Sequence, residues 1–305
     1  MTSRAERVKA LTDTLEHGVQ EVFSSGQYQA WLNTLAKFHR YSFNNVLLIQ
    51  MQRPGATCVA GFQAWKKKFG RTVKKGEKGI SILAPCPYTR WVEQSQADPA
   101  PDGEPAPKKE LVVVQGFKIA TVFDISQTEG RELPRLGVAE LTGSVEEYQQ
   151  LVNAAEKASP VPVEYAEPFV PQAKGQFDRS QQKITVRPGM GQLQTLKTLI
   201  HETAHALLHN AKEEELGKGR SLREVEAESV AYVVCQHFGL DTGEYSFGYV
   251  AGWSQNRELE ELRLSLSTIR DTAAGLIDQI EAQCPALFPQ EPQLEKKEHQ
   301  RERQE

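Results

Sequence analysis

Three residues within the segment LIHETAHALLH, residues 199–209, have the types and spacing needed for metal-dependent hydrolysis. His201 and His205 are four positions apart, so on a helix both imidazoles leave the same face and can bind one ion. Glu202 is offset by one residue, where its carboxylate can take a proton from water without occupying the coordination sphere. The pattern predicts a Zn²⁺ site with His201 and His205 as ligands and Glu202 as the general base of peptide-bond hydrolysis. Histidines that only pack in a helix are the alternative.

His209 extends the histidine series but is not expected to bind the same ion. It lies two helical turns from His201, about 12 Å along the axis at 1.5 Å per residue, whereas ligand bonds to zinc are near 2 Å. We therefore predict a supporting or structural role for His209.

The third ligand is expected on the following helix, in the segment SLREVEAESVAYVVCQHFG, residues 221–239. Glu224 and Glu228 share a face at i, i+4 spacing, and a nearby cation would offset their mutual repulsion. We predict Glu224 as the third ligand and Glu228 as the carboxylate that orients a ligand imidazole. Glu226 points about 200° away from Glu224 and is expected on a solvated face, which is also the alternative for the other two acids.

A second informative stretch is strongly basic. Residues 1–90 carry 14 Lys and Arg against 5 Asp and Glu, whereas residues 91–305 carry 22 against 35. Such a local field attracts phosphates, and the interleaved Trp65 and Phe69 could stack on bases. A solvated basic loop with its aromatic residues in the core is the alternative. The predicted nucleic-acid-binding residues are Trp65, Lys66, Lys67, Lys68, Arg71, Lys74, Lys75 and Lys78.

Length and composition limit the remaining classes. A chain of 305 residues favours two domains plus tails. No signal peptide is recognisable, and no stretch approaches the roughly 18 apolar residues that span a bilayer, so a cytoplasmic protein without a membrane partner is expected. The four cysteines have no C-x-x-C pairing, which argues against a disulfide framework or a thiolate zinc site.

Hydrophobic periodicity predicts an α+β fold in two domains. Residues 1–130 are expected to form helices plus a small antiparallel sheet, with a strand at Ile80–Pro85, its return strand at 110–128 and a flexible Pro-rich insertion at 95–110. Residues 131–143 are predicted as a linker. Residues 144–286 are predicted as a mostly helical zincin-like domain with a short sheet, and 287–305 as a disordered tail.

Two resemblances add to this interpretation. The blocks YSFNNVLLIQMQ, VAGFQAWKKKFGRTVKKGEKGI, ILAP and VFDISQTEG, within about residues 5–130, resemble the single-stranded-DNA-binding domain of ArdC-like antirestriction proteins. HETAH followed by EVEAESVA, within about residues 150–255, resembles the gluzincin site of ImmA/IrrE-like and ArdC-type metallopeptidase domains. The resemblance implies an exposed strand edge at QKITVRP along which an extended substrate could add.

Together these features predict a zinc metallopeptidase-like protein of a mobile genetic element that binds single-stranded DNA (ssDNA). It would cleave DNA-associated proteins or protect incoming ssDNA from restriction. A regulatory peptidase specific for one repressor, a non-catalytic ssDNA-coating protein and a nuclease are the alternatives. Tyr245 and Tyr249 are candidates for the group that stabilises the transition state, and the protein or peptide substrate is not identified by the sequence.

Overall fold

The computed structural model describes residues 4–23, 27–93, 109–114, 116–132, 145–210, 219–240, 258–285 and 287. The helices are α1 (Arg4–Val22), α2 (Gln27–Lys37), α3 (Phe43–Gln52), α4 (Phe62–Lys67), α5 (Val145–Ala158), α6 (Gln192–Leu208), α7 (Arg220–His237) and α8 (Leu259–Gln283). The strands are β1 (Val59–Gly61), β2 (Arg71–Val73), β3 (Ile80–Pro85), β4 (Tyr88–Glu93), β5 (Lys109–Val114), β6 (Phe117–Asp124), β7 (Thr128–Gly130), β8 (Val163–Tyr165), β9 (Gly175–Asp178) and β10 (Lys183–Val186). The predicted α+β class is confirmed.

The first three helices bury the apolar positions that the sequence periodicity selects. Trp31 and Leu35 of α2 and Val46 of α3 are fully buried. The predicted interruption between α2 and α3 is confirmed, and Ser42 begins α3 as an N-cap whose side chain accepts a hydrogen bond from the Asn45 amide.

Small antiparallel sheets complete this half of the chain. β6 lies between β1 and β3, with Ile80 opposite Val122, and β2 pairs with β7. The predicted strand at Ile80–Pro85 is confirmed, but only the second part of the predicted return strand pairs with it. The first part, β5, forms a separate two-stranded ribbon with β4. Lys109 begins β5 rather than lying in the predicted insertion, whose residues 95–108 are outside the described part.

The second half packs three helices against a three-stranded sheet. β10 is the central strand, parallel to β8 and antiparallel to β9. The expectation that QKITVRP offers a free strand edge is therefore wrong, because β10 within it is paired on both sides. The edge nearest α6 belongs to β9.

Both halves contribute to one continuous hydrophobic core. Tyr28 of α2 contacts Ser229 of α7 through their hydroxyl oxygens at 2.7 Å. Arg270 of α8 donates to the backbone carbonyl of Tyr41 at 2.8 Å. The predicted linker and tail lie largely outside the described residues, so the division into two domains stays a prediction. Among the helices described, none has the length and apolar character needed to cross a bilayer.

Candidate metal centre

The helix α6 carries the histidines because its two faces differ. Leu196, Leu199 and Ala204 are fully buried and fix the helix against the core. His201 and His205 lie between this buried face and solvent, with side chains 19% and 16% exposed. α7 packs beside α6 and brings Glu224 to the same place, with about half of its side chain exposed. The predicted set of three ligands is thus brought together by two neighbouring helices.

The ligand atoms have the separations that one tetrahedral ion requires. The Nε2 atoms of His201 and His205 are 3.1 Å apart, and Oε2 of Glu224 is 3.7 Å from each of them. Ligand bonds of about 2.0–2.1 Å in tetrahedral geometry imply ligand separations of roughly 3.3 Å. The three residues therefore fit a divalent ion without rearrangement of the backbone. Contact with His205 lowers the pKa of Glu224, so this carboxylate stays ionised as a ligand must be.

Glu228 occupies the position predicted for a carboxylate that orients a ligand ring. Its Oε2 is 3.1 Å from Nδ1 of His201, and its Oε1 is 3.5 Å from Nζ of Lys197. Burial lowers the pKa of His201, but the Glu228 carboxylate and nearby acids outweigh this and raise it overall. A carboxylate at Nδ1 leaves Nε2, on the other side of the ring, directed at the ligand cluster.

Glu202 is buried beside the ligands and is held from behind by the sheet. The backbone amide of Phe177 in β9 donates to its Oε2 at 2.8 Å. Gly175 permits this close approach, because a Cβ there would lie 2.5 Å from Cγ2 of Thr198 and 3.0 Å from Cγ of Glu202. Burial raises the pKa of Glu202, which brings the carboxylate nearer to the value that suits a general base.

His209 and Glu226 form a buried pair behind His205. Nε2 of His209 is 3.0 Å from Oε2 of Glu226, and Nδ1 of His209 is 2.9 Å from Nδ1 of His205. Glu226 is 0% exposed, so the expected solvated position for this acid is wrong. The i, i+4 spacing from His205 to His209 was the sequence signal for their contact, whereas Glu226 could be placed only once α7 was docked.

These side chains border an open cleft of about 370 Å³. His201, Glu202 and Glu228 line one wall, and Lys174 and Gly175 of the sheet side line the other. Tyr245 and Tyr249, the two candidates for stabilising the transition state, lie outside the described residues.

The basic segment is exposed, but not all of its predicted contacts are available. Lys66, Lys67, Lys68, Lys74, Lys75 and Lys78 are exposed, and Nζ of Lys74 donates to the backbone carbonyl of Ser126. Arg71 joins β2 to β7, since its guanidinium donates to the side-chain and backbone oxygens of Thr128.

Trp65 requires a correction. It is 0% exposed, and its Nε1 donates to the backbone carbonyl of Phe123 at 2.8 Å. The ring of Phe69 packs beside it with centroids 5.0 Å apart. Trp65 is therefore a core residue and cannot stack on a base, because the spacing that alternates it with lysines also turns it inward on α4.

Residues 3–123 match the family model for the N-terminal domain of anti-restriction factor ArdC. The uncharacterized protein pXO2-81 of Bacillus anthracis is 28% identical over 328 residues, which cover 92% of this chain and 52% of that protein. The chain thus spans about half the length of this curated relative.

Two crystal structures of the antirestriction protein ArdC from plasmid R388 share the fold. The metal-free structure has a TM-score of 0.52 at 18% identity and covers 92% of this chain and 100% of its own. The Mn(II)-bound structure has a TM-score of 0.51 at 16% identity and covers 88% and 97%. The resemblance to ImmA/IrrE-like metallopeptidases is not addressed by these matches and stays a prediction. Residues 3–123 thus carry the N-terminal domain of anti-restriction factor ArdC, in a chain whose fold matches that of ArdC.

Proposed function

We propose that this protein is an ArdC-like antirestriction protein of a mobile genetic element that binds ssDNA and hydrolyses peptide bonds with a divalent metal. One observation carries the catalytic part: the ligand atoms of His201, His205 and Glu224 lie within 4.8 Å of one another, directly beside the buried carboxylate of Glu202. The plasmid origin of the ArdC structures and their title support the antirestriction part.

The residues suit a divalent ion held by His201, His205 and Glu224. Two imidazoles and one carboxylate are a common ligand set for catalytic zinc, and a Mn(II)-bound structure of ArdC supports divalent metal binding in this fold. When bound, such an ion acts as a Lewis acid that activates water and polarises a carbonyl group.

Glu202 then serves as the group that moves the proton. It accepts a proton from the attacking water and returns it to the leaving amine, so no proton is gained or lost over the cycle. The amide of Phe177 fixes Oε2 and leaves Oε1 to face the ligands. An extended peptide would lie in the cleft against β9, the strand that borders α6.

The exposed lysines of the basic segment supply the proposed contact with ssDNA. Lys66, Lys67 and Lys68 lie at the end of α4, held in place by the buried Trp65. Phosphate contacts of this kind are independent of base sequence and weaken with salt. Binding to DNA would raise the local concentration of the peptidase around proteins on the same strand.

The catalytic proposal is tested by Glu202→Gln in the full chain, with fluorescein-labelled casein as probe and oligo-dT present or absent. We expect the variant to bind as much zinc as the wild type and to lose at least about 100-fold in hydrolysis rate. Glu167→Gln, an exposed acid paired with Arg187, is the matched control. Equal rates in Glu202→Gln and wild type would refute the peptidase.

The DNA proposal is tested by the triple change Lys66→Ala, Lys67→Ala and Lys68→Ala. We expect weaker oligo-dT binding and a shallower salt dependence, by about 0.7 per lost phosphate contact, with Lys157→Ala as control. If a chain carrying Glu202→Gln still protected transferred DNA fully, the non-catalytic ssDNA-coating function would replace the peptidase.

A further inference from the structure

Three helices end at one place remote from the candidate metal centre. His237 is the last residue of α7, Glu281 lies in the last turn of α8, and His39 follows the end of α2. One ligand atom from each residue lies within 4.8 Å of the other two. His237 is thirteen positions after Glu224 on the same helix, which separates the two places by about 20 Å at 1.5 Å per residue.

The ring of His237 is oriented in the manner of a metal ligand. Its Nδ1 is 2.9 Å from the backbone carbonyl oxygen of Ala36, and only a protonated Nδ1 can make that contact. In the neutral ring, Nε2 then carries a lone pair and faces Oε1 of Glu281 at 2.9 Å. Two acceptors at this distance need a shared cation, which is either a proton or a metal ion. A histidine that donates its other ring N–H to a backbone carbonyl is the usual arrangement around a bound metal.

His39 supplies the independent observation. It is 6% exposed, its two ring nitrogens are buried without a hydrogen-bond partner, and its ring lies 4.6 Å from that of His237 between centroids. Burial and the neighbouring His237 lower the pKa of His39 to about 3, so the ring is neutral, which metal binding requires. A neutral buried imidazole without a partner, adjacent to an oriented histidine and a carboxylate, indicates a missing cation.

The surrounding charges are compatible with a cation. Arg40 donates to Oε2 of Glu281 at 3.0 Å and leaves Oε1 for the ion, and its side chain is 58% exposed and screened by solvent. Arg270 donates to the carbonyls of His39 and Tyr41. Asp278 adds a carboxylate 3.8 Å from Nε2 of His39. The ends of α2, α7 and α8 also direct the negative ends of their dipoles here.

We propose that His39, His237 and Glu281 bind a second divalent cation, of the zinc class, that has a structural role. Two imidazoles and a carboxylate suit zinc better than magnesium or calcium. The ion ties the segment after α2 to the ends of α7 and α8, and so joins the N-terminal half of the chain to the half that carries the candidate metal centre. This inference is independent of hydrolysis at the first site.

The test uses the full chain with His201→Ala and His205→Ala, which removes the first site and leaves the second unchanged. After zinc loading and dialysis, we expect about one zinc per chain and a thermal midpoint that falls on addition of EDTA. Adding His39→Asn and Glu281→Gln should abolish both the zinc and the response to EDTA. His17→Asn, in the exposed His17 and Glu21 pair, is the matched control and should change neither.

A folded double-alanine chain that retains no zinc would overturn the proposal, and this result needs no change at the second site. Equal zinc content with and without His39→Asn and Glu281→Gln would also overturn it. Failure here is separable from failure of the proposed function, because Glu281→Gln alone leaves the first site complete. That variant should keep about one zinc and its hydrolytic rate even where the second site is lost.

Discussion

Replacing Glu226 by Gln tests how far the metal ligand His205 depends on the buried pair behind it. The carboxylate of Glu226 accepts a proton bond from Nε2 of His209, which leaves Nδ1 of His209 as an acceptor for Nδ1 of His205. His205 is thereby fixed in the tautomer whose Nε2 lone pair faces His201 and Glu224. An amide at position 226 can donate instead, which reverses the sequence of donors and places a proton on the metal-binding nitrogen of His205.

The magnitude follows from the burial of the pair. Glu226 and His209 have side chains 0% and 3% exposed, so solvent cannot replace a lost partner. Supporting groups of this kind change metal affinity by about 10–100-fold, which corresponds to about 1.4–2.8 kcal/mol. Because Gln keeps the shape of Glu and one acceptor oxygen, the cost to folding should stay near the 1.5–3 kcal/mol typical of a hydrogen bond to a charged group.

The assay is competition for zinc between the protein and a chromophoric chelator, combined with urea unfolding. Glu226→Gln should weaken zinc binding at the first site by about 10–100-fold, while Glu167→Gln on the surface should not. The second proposed site is removed in both proteins by His39→Asn and Glu281→Gln, so that one ion is counted. Zinc affinity within twofold of the parent, in a folded Glu226→Gln protein, would refute the reasoning.

Three further changes test other parts of the structure. Hydrogen bonds to the Asp124 carboxylate outweigh the opposing effect of burial and lower its pKa; its stabilising contribution is therefore complete above the unfolded value near 3.9 and is lost as pH falls through the folded pKa. Asp124→Asn should lower the free energy of unfolding by about 2–3 kcal/mol at pH 7, and urea unfolding at pH 7 and pH 3 should show the difference shrinking in acid. Trp65→Phe should cost about 1–2 kcal/mol by leaving the Phe123 carbonyl without its donor; oligo-dT affinity at fixed salt should not change, and a loss of affinity at full stability would restore a stacking role. Gly175→Ala should press β9 away from Thr198 and reduce casein hydrolysis by about 10-fold or more, whereas an unchanged rate would show that β9 does not position the site.

The sequence was most informative where one element contained the whole signal. His201, Glu202 and His205 lie on one helix, and their i, i+4 relation follows from helix geometry alone. Glu224 and Glu228 were predicted from their shared face on the next helix, and both lie beside His201. Ile80–Pro85 alternates buried and less buried residues along its length, as its sequence pattern indicates.

Features that depend on how elements dock were not accessible in the same way. Glu226 has the same spacing as a solvated acid, and only the packing of α7 on α6 buries it against His209. Trp65 lies among lysines in the sequence, but its depth is set by the sheet that supplies the Phe123 carbonyl. The cluster of His39, His237 and Glu281 joins positions that are up to 242 residues apart, for which no local pattern exists.

The contact between Tyr28 and Ser229 has a consequence for how this protein evolves. Because the first helices share their interior with α7, neither half has a finished surface of its own at that junction. Recombination that exchanged only one half would expose apolar side chains and leave hydroxyl groups without their counterparts. Inheritance of the two halves as a single unit, with coordinated substitutions on both sides of Tyr28 and Ser229, is therefore the expected course.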